Sequence, residues 1–131
     1  MSLAGFKQII PLAGRNYCSL ARAAPDSGES TLIMIPSAPF PPDRAHTLLE
    51  RELRITGQTD ITGVIRSRAF SDAASPALLL DDFPGMPIDF FSDILRADMR
   101  GMLSAAVAIA NALSSVHAAD ITHRSLDSGS I

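Results

Sequence analysis

The chain has 131 residues, of which 47% are apolar and only 5% aromatic, and its formal net charge is −3. This length and composition predict one globular domain with an aliphatic core, and they exclude both a disordered chain and two independent domains. The sequence contains no basic stripe, so we expect no nucleic-acid partner.

The N-terminus and the cysteine content bear on the compartment. Lys7 and Pro11 interrupt the apolar residues of the N-terminus, so the sequence predicts neither a signal peptide nor a membrane segment there. Cys18 is the only cysteine, which excludes an intrachain disulfide and is typical of a reducing compartment. We therefore expect a cytoplasmic protein.

The first third of the chain predicts three short strands. Residues 9–12 and 17–23 are rich in strand-forming side chains and flank a bend that contains glycine. Residues 31–35 predict a third strand after a strong turn signal at 25–28. Four prolines between residues 36 and 42 then predict a loop, because proline cannot donate a hydrogen bond to a sheet.

A helix is predicted for residues 44–56, with Asp43 as its N-cap and Gly57 at its end. One face of this helix is apolar and is formed by Ala45, Leu48, Leu49 and Leu53. Glu52 lies at the edge of that face at helical spacing. The helix is therefore expected to pack its leucines against the sheet.

The rest of the chain predicts a hairpin followed by helices. Residues 64–70 and 77–80 predict two strands joined by a polar turn, which is typical of an antiparallel hairpin. The helix predicted at 99–116 is apolar nearly all round, and too little chain remains to cover it. At about 25 cal/mol per Å² of apolar area, exposure of several such side chains loses several kcal/mol. We therefore expect a fragment of a longer protein or a helix buried in an oligomer.

Directly after the long helix, the chain carries the motif His123-Arg124-Ser125-Leu126. The order of the elements together with this motif resembles the N-lobe and the first C-lobe helix of a protein kinase, over nearly the whole chain. Three segments, at 48–53, 63–65 and 78–82, are similar to kinase-like domains at the N-terminus of large bacterial sensor histidine kinases.

The resemblance implies an α+β fold. Residues 1–82 would form a kinase-like N-lobe, with a five-stranded antiparallel sheet and one helix. Residues 83–131 would form the hinge and the start of the C-lobe, up to a degenerate catalytic loop. The two parts would together make one truncated domain.

Kinase chemistry needs a strand lysine held by a helix glutamate, a catalytic aspartate and a metal-binding asparagine. The resemblance places Met34 at the lysine position and Glu52 at the glutamate position. Lys7 is the only lysine, so no other alignment restores this cation, and Arg15 is left as a substitute of different geometry. In the catalytic loop, the aspartate, the lysine after it and the asparagine are replaced by Ser125, Asp127 and Ser130. The resemblance therefore implies that no catalytic residue is retained.

The same resemblance implies a degenerate nucleotide cleft. The glycine positions of the first hairpin fall on Ala13, Arg15 and Cys18, whose side chains hinder a close approach to phosphate. The implied cleft is lined by these three residues and by Leu20, Glu52, Leu80, Asp81 and Asp82. We expect no cofactor, and ATP with Mg²⁺ is the alternative that the sequence leaves open.

Two other kinds of site fit the sequence less well. His117, Asp120 and His123 recur at three-residue spacing, but a zinc site needs three or four supported ligands, so we predict no metal site. A hydrolase triad of Ser125, Asp127 and His123 would crowd all three groups within five positions and lacks the nucleophile elbow.

Three interpretations of function stay open. We favour a catalytically inactive kinase-like regulatory domain, as an N-terminal fragment of a bacterial two-component sensor kinase that contacts other signalling domains or proteins, with weak nucleotide binding left open. The alternative is a free-standing α+β interaction module that forms a homodimer through its C-terminal apolar helix. A third interpretation is an active kinase fragment that needs a C-terminal half.

Overall fold

The computed structural model describes residues 6–14, 17–25, 28–38, 40–57, 60–71, 77–122 and 131. Arg15 lies outside these ranges, as does the predicted catalytic loop with Ser125, Asp127 and Ser130. The chain comprises two compact units: Met1–Thr59 with Ile65–Pro84, and Asp60–Val64 with Gly85–Ile131. The predicted lobe boundary after residue 82 stays a prediction.

The first unit is built on one antiparallel sheet with the strand order β1-β2-β3-β5-β4. Its strands are β1 (Phe6–Gly14), β2 (Cys18–Pro25), β3 (Thr31–Pro36), β4 (Ser67–Phe70) and β5 (Leu78–Leu80). The predicted five-stranded antiparallel sheet is thus confirmed. β3 is its central strand. β1 is an edge strand, where Pro11 is tolerated because an edge leaves some amides unpaired.

Helix α1 (Pro42–Thr56) packs against β3 and β4. It begins two residues earlier than predicted because Pro42 occupies its first position, for which the fixed φ of proline is suited. Asp43 is therefore not the N-cap but lies in the first turn, where a negative charge favours the helix N-terminus. The helix ends at Gly57 as predicted, and the Gly57 amide donates to the Leu53 carbonyl at 2.8 Å.

The two faces of the sheet carry separate apolar clusters, because successive side chains of a strand point to opposite faces. The face that packs against α1, here called the inner face, has a cluster whose buried members are Cys18, Leu32, Met34, Leu49, Leu78 and Leu80. The opposite, outer face has a smaller cluster of Ala21, Ala23, Ile33, Ile35 and Ala77. The main core of the first unit therefore lies between the sheet and α1.

The strand predicted at 64–70 begins only at Ser67. Gly63 has a φ of +84°, and the Val64 amide donates to the Ile61 carbonyl at 3.0 Å, which closes a turn. A chain that is turning cannot pair as a strand, so extended pairing begins three residues later than the apolar pattern predicts.

The second unit is helical, as predicted. Its elements are a 3-10 turn (Ile88–Phe91) and the helices α2 (Ser92–Ala97) and α3 (Met99–Ala118). The two helices pack against each other. Asp98 caps α3, because its carboxylate accepts a hydrogen bond from the Arg100 amide at 3.1 Å.

α3 is apolar in sequence yet mostly exposed. Val116 is its only buried residue, whereas Met99, Leu103 and Val107 are 66%, 57% and 59% exposed. α3 is also the one helix in the described part of the chain that is long and apolar enough to cross a membrane. Buried helices of soluble proteins meet the same criteria of length and composition. The described residues therefore leave one face of this helix uncovered.

Replacement of Gly63 by Ala is expected to destabilise the protein by about 1–3 kcal/mol. A Cβ at Gly63 would lie 2.7 Å from the Ala112 Cβ of α3, and its positive φ disfavours any other residue. Gly14→Ala is the control, since a Cβ there meets nothing within 4 Å, and we expect a change below about 0.5 kcal/mol. Urea unfolding followed by circular dichroism measures both, and equal effects would contradict the close approach.

Candidate functional site

Met34 lies on the central strand of the sheet, at the position that the resemblance assigns to the kinase lysine. It pairs with Leu20 of β2 and Leu78 of β5, and its exposed fraction is 5%. On the inner face it belongs to the same apolar cluster as Leu49 of α1. The thioether therefore lies in a dry environment, in which a charged ammonium would be strongly disfavoured.

Glu52 lies on α1 and is half-buried. Within the described ranges, no basic side chain lies within ion-pair distance of its carboxylate. The last turn of its helix is attached to the sheet, because the Thr56 hydroxyl contacts the Glu52 carbonyl at 3.0 Å and the Ser67 hydroxyl of β4 at 2.7 Å. The helix is thus held in place without an ion pair at Glu52 among the described residues.

The first hairpin contributes apolar side chains to the inner face. Ala13 pairs with Leu20, and Cys18 pairs with Pro36. Cys18 is fully buried in the inner-face cluster, against which Leu20 is packed. The structure describes two of the three positions where the resemblance implies glycine. Cys18 places a buried thiol at one of them, and Ala13 places a methyl group at the other.

Leu80, Asp81 and Asp82 form the end of β5 and the segment after it. Leu80 is buried on the inner face, and its carbonyl accepts from the Thr31 hydroxyl at 3.1 Å. The Asp81 amide donates to the Arg66 carbonyl at 2.8 Å, and the Asp81 carboxylate pairs with Arg68 of β4. This segment is therefore held to the strands on either side of it.

Arg22, to which the sequence analysis gave no role, makes the other strong contact of this segment. From β2, its Nη1 donates to Asp82 Oδ1 at 2.6 Å and its Nη2 donates to the Phe83 carbonyl at 2.6 Å. The Arg22 side chain is 22% exposed and the Asp82 side chain 49%. The implied cleft residue Asp82 thus already has a cation from the same chain.

The structure brings some of the predicted site residues together and leaves others apart. Cys18, Leu20, Met34 and Leu80 belong to one apolar cluster on the inner face. Asp81 and Asp82 pair with different arginines. Among the described residues, which include His117 and Asp120, no three metal-ligating side chains lie together. Arg15, His123 and the three replaced loop positions lie outside the described residues.

Comparison with known proteins identifies the fold but not a family. No protein-family model matches the sequence, and no curated protein matches it either. The crystal structure of the Mycobacterium tuberculosis PknI kinase domain is similar, with a TM-score of 0.62 and 15% sequence identity, over 98% of this chain and 54% of that one. The chain has a protein-kinase-like fold.

Within that kinase-like fold, the sheet with α1 corresponds to the N-lobe and the helices after it to the start of the C-lobe. The chain spans about half the length of the PknI kinase domain. At 15% identity, the similarity establishes the fold alone, so the chemistry of the candidate site has to be argued from its own residues.

Met34→Lys is expected to destabilise the protein by roughly 2–5 kcal/mol, because it places a charge in the dry inner-face cluster. Met34→Leu conserves the apolar volume and is expected to cost less than about 1.5 kcal/mol. Chemical denaturation of both variants at pH 7 measures the difference. A lysine variant as stable as the leucine variant would show that this position tolerates a cation.

Proposed function

We propose that the chain is a catalytically inactive kinase-like regulatory domain that acts through contacts with other proteins. The observation that carries the proposal is the burial of Met34 on the central strand of a kinase-like sheet, at the position that the resemblance assigns to the lysine. Phosphoryl transfer depends on electrostatic stabilisation of the phosphate groups, and a lysine on this strand supplies part of it. A thioether that is surrounded by hydrocarbon has no charge to offer.

The residues present do not fit a bound nucleotide with its Mg²⁺. Met34 and Cys18, where a kinase approaches phosphate, are buried apolar contacts of the inner face. Glu52 has no ion pair within the described ranges, and Asp82 is already paired with Arg22. These features support the proposal that neither ATP nor a metal ion is a cofactor of this domain.

We further propose the biological setting from the sequence resemblance. The segments at 48–53, 63–65 and 78–82 are similar to kinase-like domains of bacterial sensor histidine kinases, which belong to two-component systems. The domain would then be the N-terminal part of a cytoplasmic sensor kinase, and its partners would be other signalling domains or proteins.

Purified protein incubated with labelled ATP and Mg²⁺ or Mn²⁺ is expected to transfer no phosphate to itself or to a generic acceptor protein. ATP is also expected to leave the thermal unfolding midpoint unchanged, because only a ligand that binds the folded state raises it. Metal-dependent transfer that disappears in Glu52→Gln would refute the proposal and favour the third interpretation, an active kinase fragment. Asp43→Asn, on an exposed carboxylate at the other end of α1, is the matched control.

A second candidate function is a module that dimerises through α3. Met99, Leu103 and Val107 recur every four residues, lie on one side of the helix and are more than half exposed. With Arg100 and Ser104 they line a shallow groove along the helix. Exposed apolar surface of this kind is typical of interaction sites, and a symmetric dimer uses the same patch on both subunits.

If α3 forms the dimer, light scattering after size-exclusion chromatography is expected to give twice the chain mass at micromolar concentration. The double variant Leu103→Ser with Val107→Ser removes two apolar anchors, and we expect it to shift the protein to a monomer. Ala108→Ser changes an exposed residue on the opposite side of α3 and should leave the dimer intact. A wild-type monomer over the whole concentration range would exclude this candidate.

A further inference from the structure

Arg22 extends from the inner face of the sheet. In β2, side chains alternate between faces, and the inner-face cluster includes Cys18 and Leu20 while the outer cluster includes Ala21 and Ala23. The pairing of β2 with β3 is regular through residue 23, so the side chain of Arg22 emerges on the same face as that of Leu20. A charged side chain thus begins on the face that carries the main apolar cluster.

The strand register shows the path that this side chain takes. Arg22 pairs with Leu32 of β3, and Leu32 pairs with Leu80 of β5. The guanidinium contacts Asp82 and the Phe83 carbonyl, which follow β5, so this contact joins β2 to the segment after β5, with β3 between them in the sheet. Because neighbouring strands lie about 4.8 Å apart, the contact spans about two strand spacings, and the Arg22 side chain starts on the inner face.

We propose that Arg22 closes this end of the inner face against ligands, as a latch to Asp82 and Phe83. The inference rests on the proposed function, since Leu20, Leu80 and Asp82 belong to the implied nucleotide cleft. A flat heteroaromatic ring that is to lie against Leu20 and Leu80 would first have to displace the guanidinium. Displacement breaks two charge-assisted hydrogen bonds. The apparent affinity for such a ligand is the affinity of the open form multiplied by the fraction of molecules in which the latch is open.

The neighbouring pair of Arg68 with Asp81 provides a matched control. It joins the same kinds of group one residue earlier in the chain, but Arg68 lies on the edge strand β4 and its side chain is 68% exposed. Arg68 does not cross the central strand, since β4 pairs directly with β5. Its removal weakens the attachment of the segment after β5 without opening the path between Leu20 and Leu80.

Adenosine is the appropriate probe because it carries the heteroaromatic ring without phosphate, so the missing lysine and Mg²⁺ do not affect its binding. We expect Arg22→Ala to bind adenosine at least tenfold more tightly than the wild-type chain in isothermal titration calorimetry. Arg68→Ala is expected to bind like wild type. Circular dichroism and the thermal midpoint establish that each variant is folded.

Asp82→Asn provides a second route to the same result, because it removes the charged partner and leaves Arg22 with the Phe83 carbonyl. We expect a smaller gain in adenosine affinity than in Arg22→Ala, and this variant decides the question if Arg22→Ala does not fold. No gain in a folded latch variant, or an equal gain in Arg68→Ala, would overturn the latch. Neither result tests whether the domain is catalytically inactive, because the phosphate-transfer measurement tests that separately. A failure of the latch can therefore be told apart from a failure of the proposed function.

Discussion

The fold depends on the apolar cluster between the central strand and α1. Met34, Leu78 and Leu49 come from β3, β5 and α1 and are buried together on the inner face. Complete burial of one such side chain contributes about 1.5–3 kcal/mol, which is a large part of the net stability of a small domain. The side chains that hold α1 to the sheet therefore include Met34, which the resemblance places at the kinase lysine position, so a residue of the candidate site is also part of the core.

Much of the fold could be predicted because the strands and helices of this chain follow simple periodic patterns. The apolar runs of β2 and β3 and the leucines of α1 define their elements directly. Boundaries were less accurate where local geometry overrides the pattern. β1 begins at Phe6, three residues before the predicted start, because an edge strand does not need apolar residues at every inward position. Proline advances the start of α1, and the turn at Gly63 delays β4.

The sequence predicts a residue of the candidate site only where its place depends on a single strand. The resemblance places Met34 at the site from the register of β3 alone, and the structure buries that side chain on the inner face. The contact of Arg22 with Asp82 joins residues sixty positions apart and needs the registers of β2, β3 and β5 together. The sequence does contain a signal for this contact. Arg22 is two residues from Leu20 and four from Cys18, so the three side chains point to the same face of β2, and two adjacent aspartates follow β5.

The charges on the inner face bear on the proposed role in protein contacts. In a site that binds phosphate, the charge of the cations is balanced only when the ligand is bound. Charged groups without a partner in the free protein are therefore typical of functional sites. Here the inner-face cation Arg22 is balanced by Asp82, and Met34 is buried on the central strand. By contrast, the uncompensated surface is apolar and lies on α3, at Leu103 and Val107. Since exposed apolar area is what a protein partner removes from water, α3 is the surface through which the proposed contacts would be made.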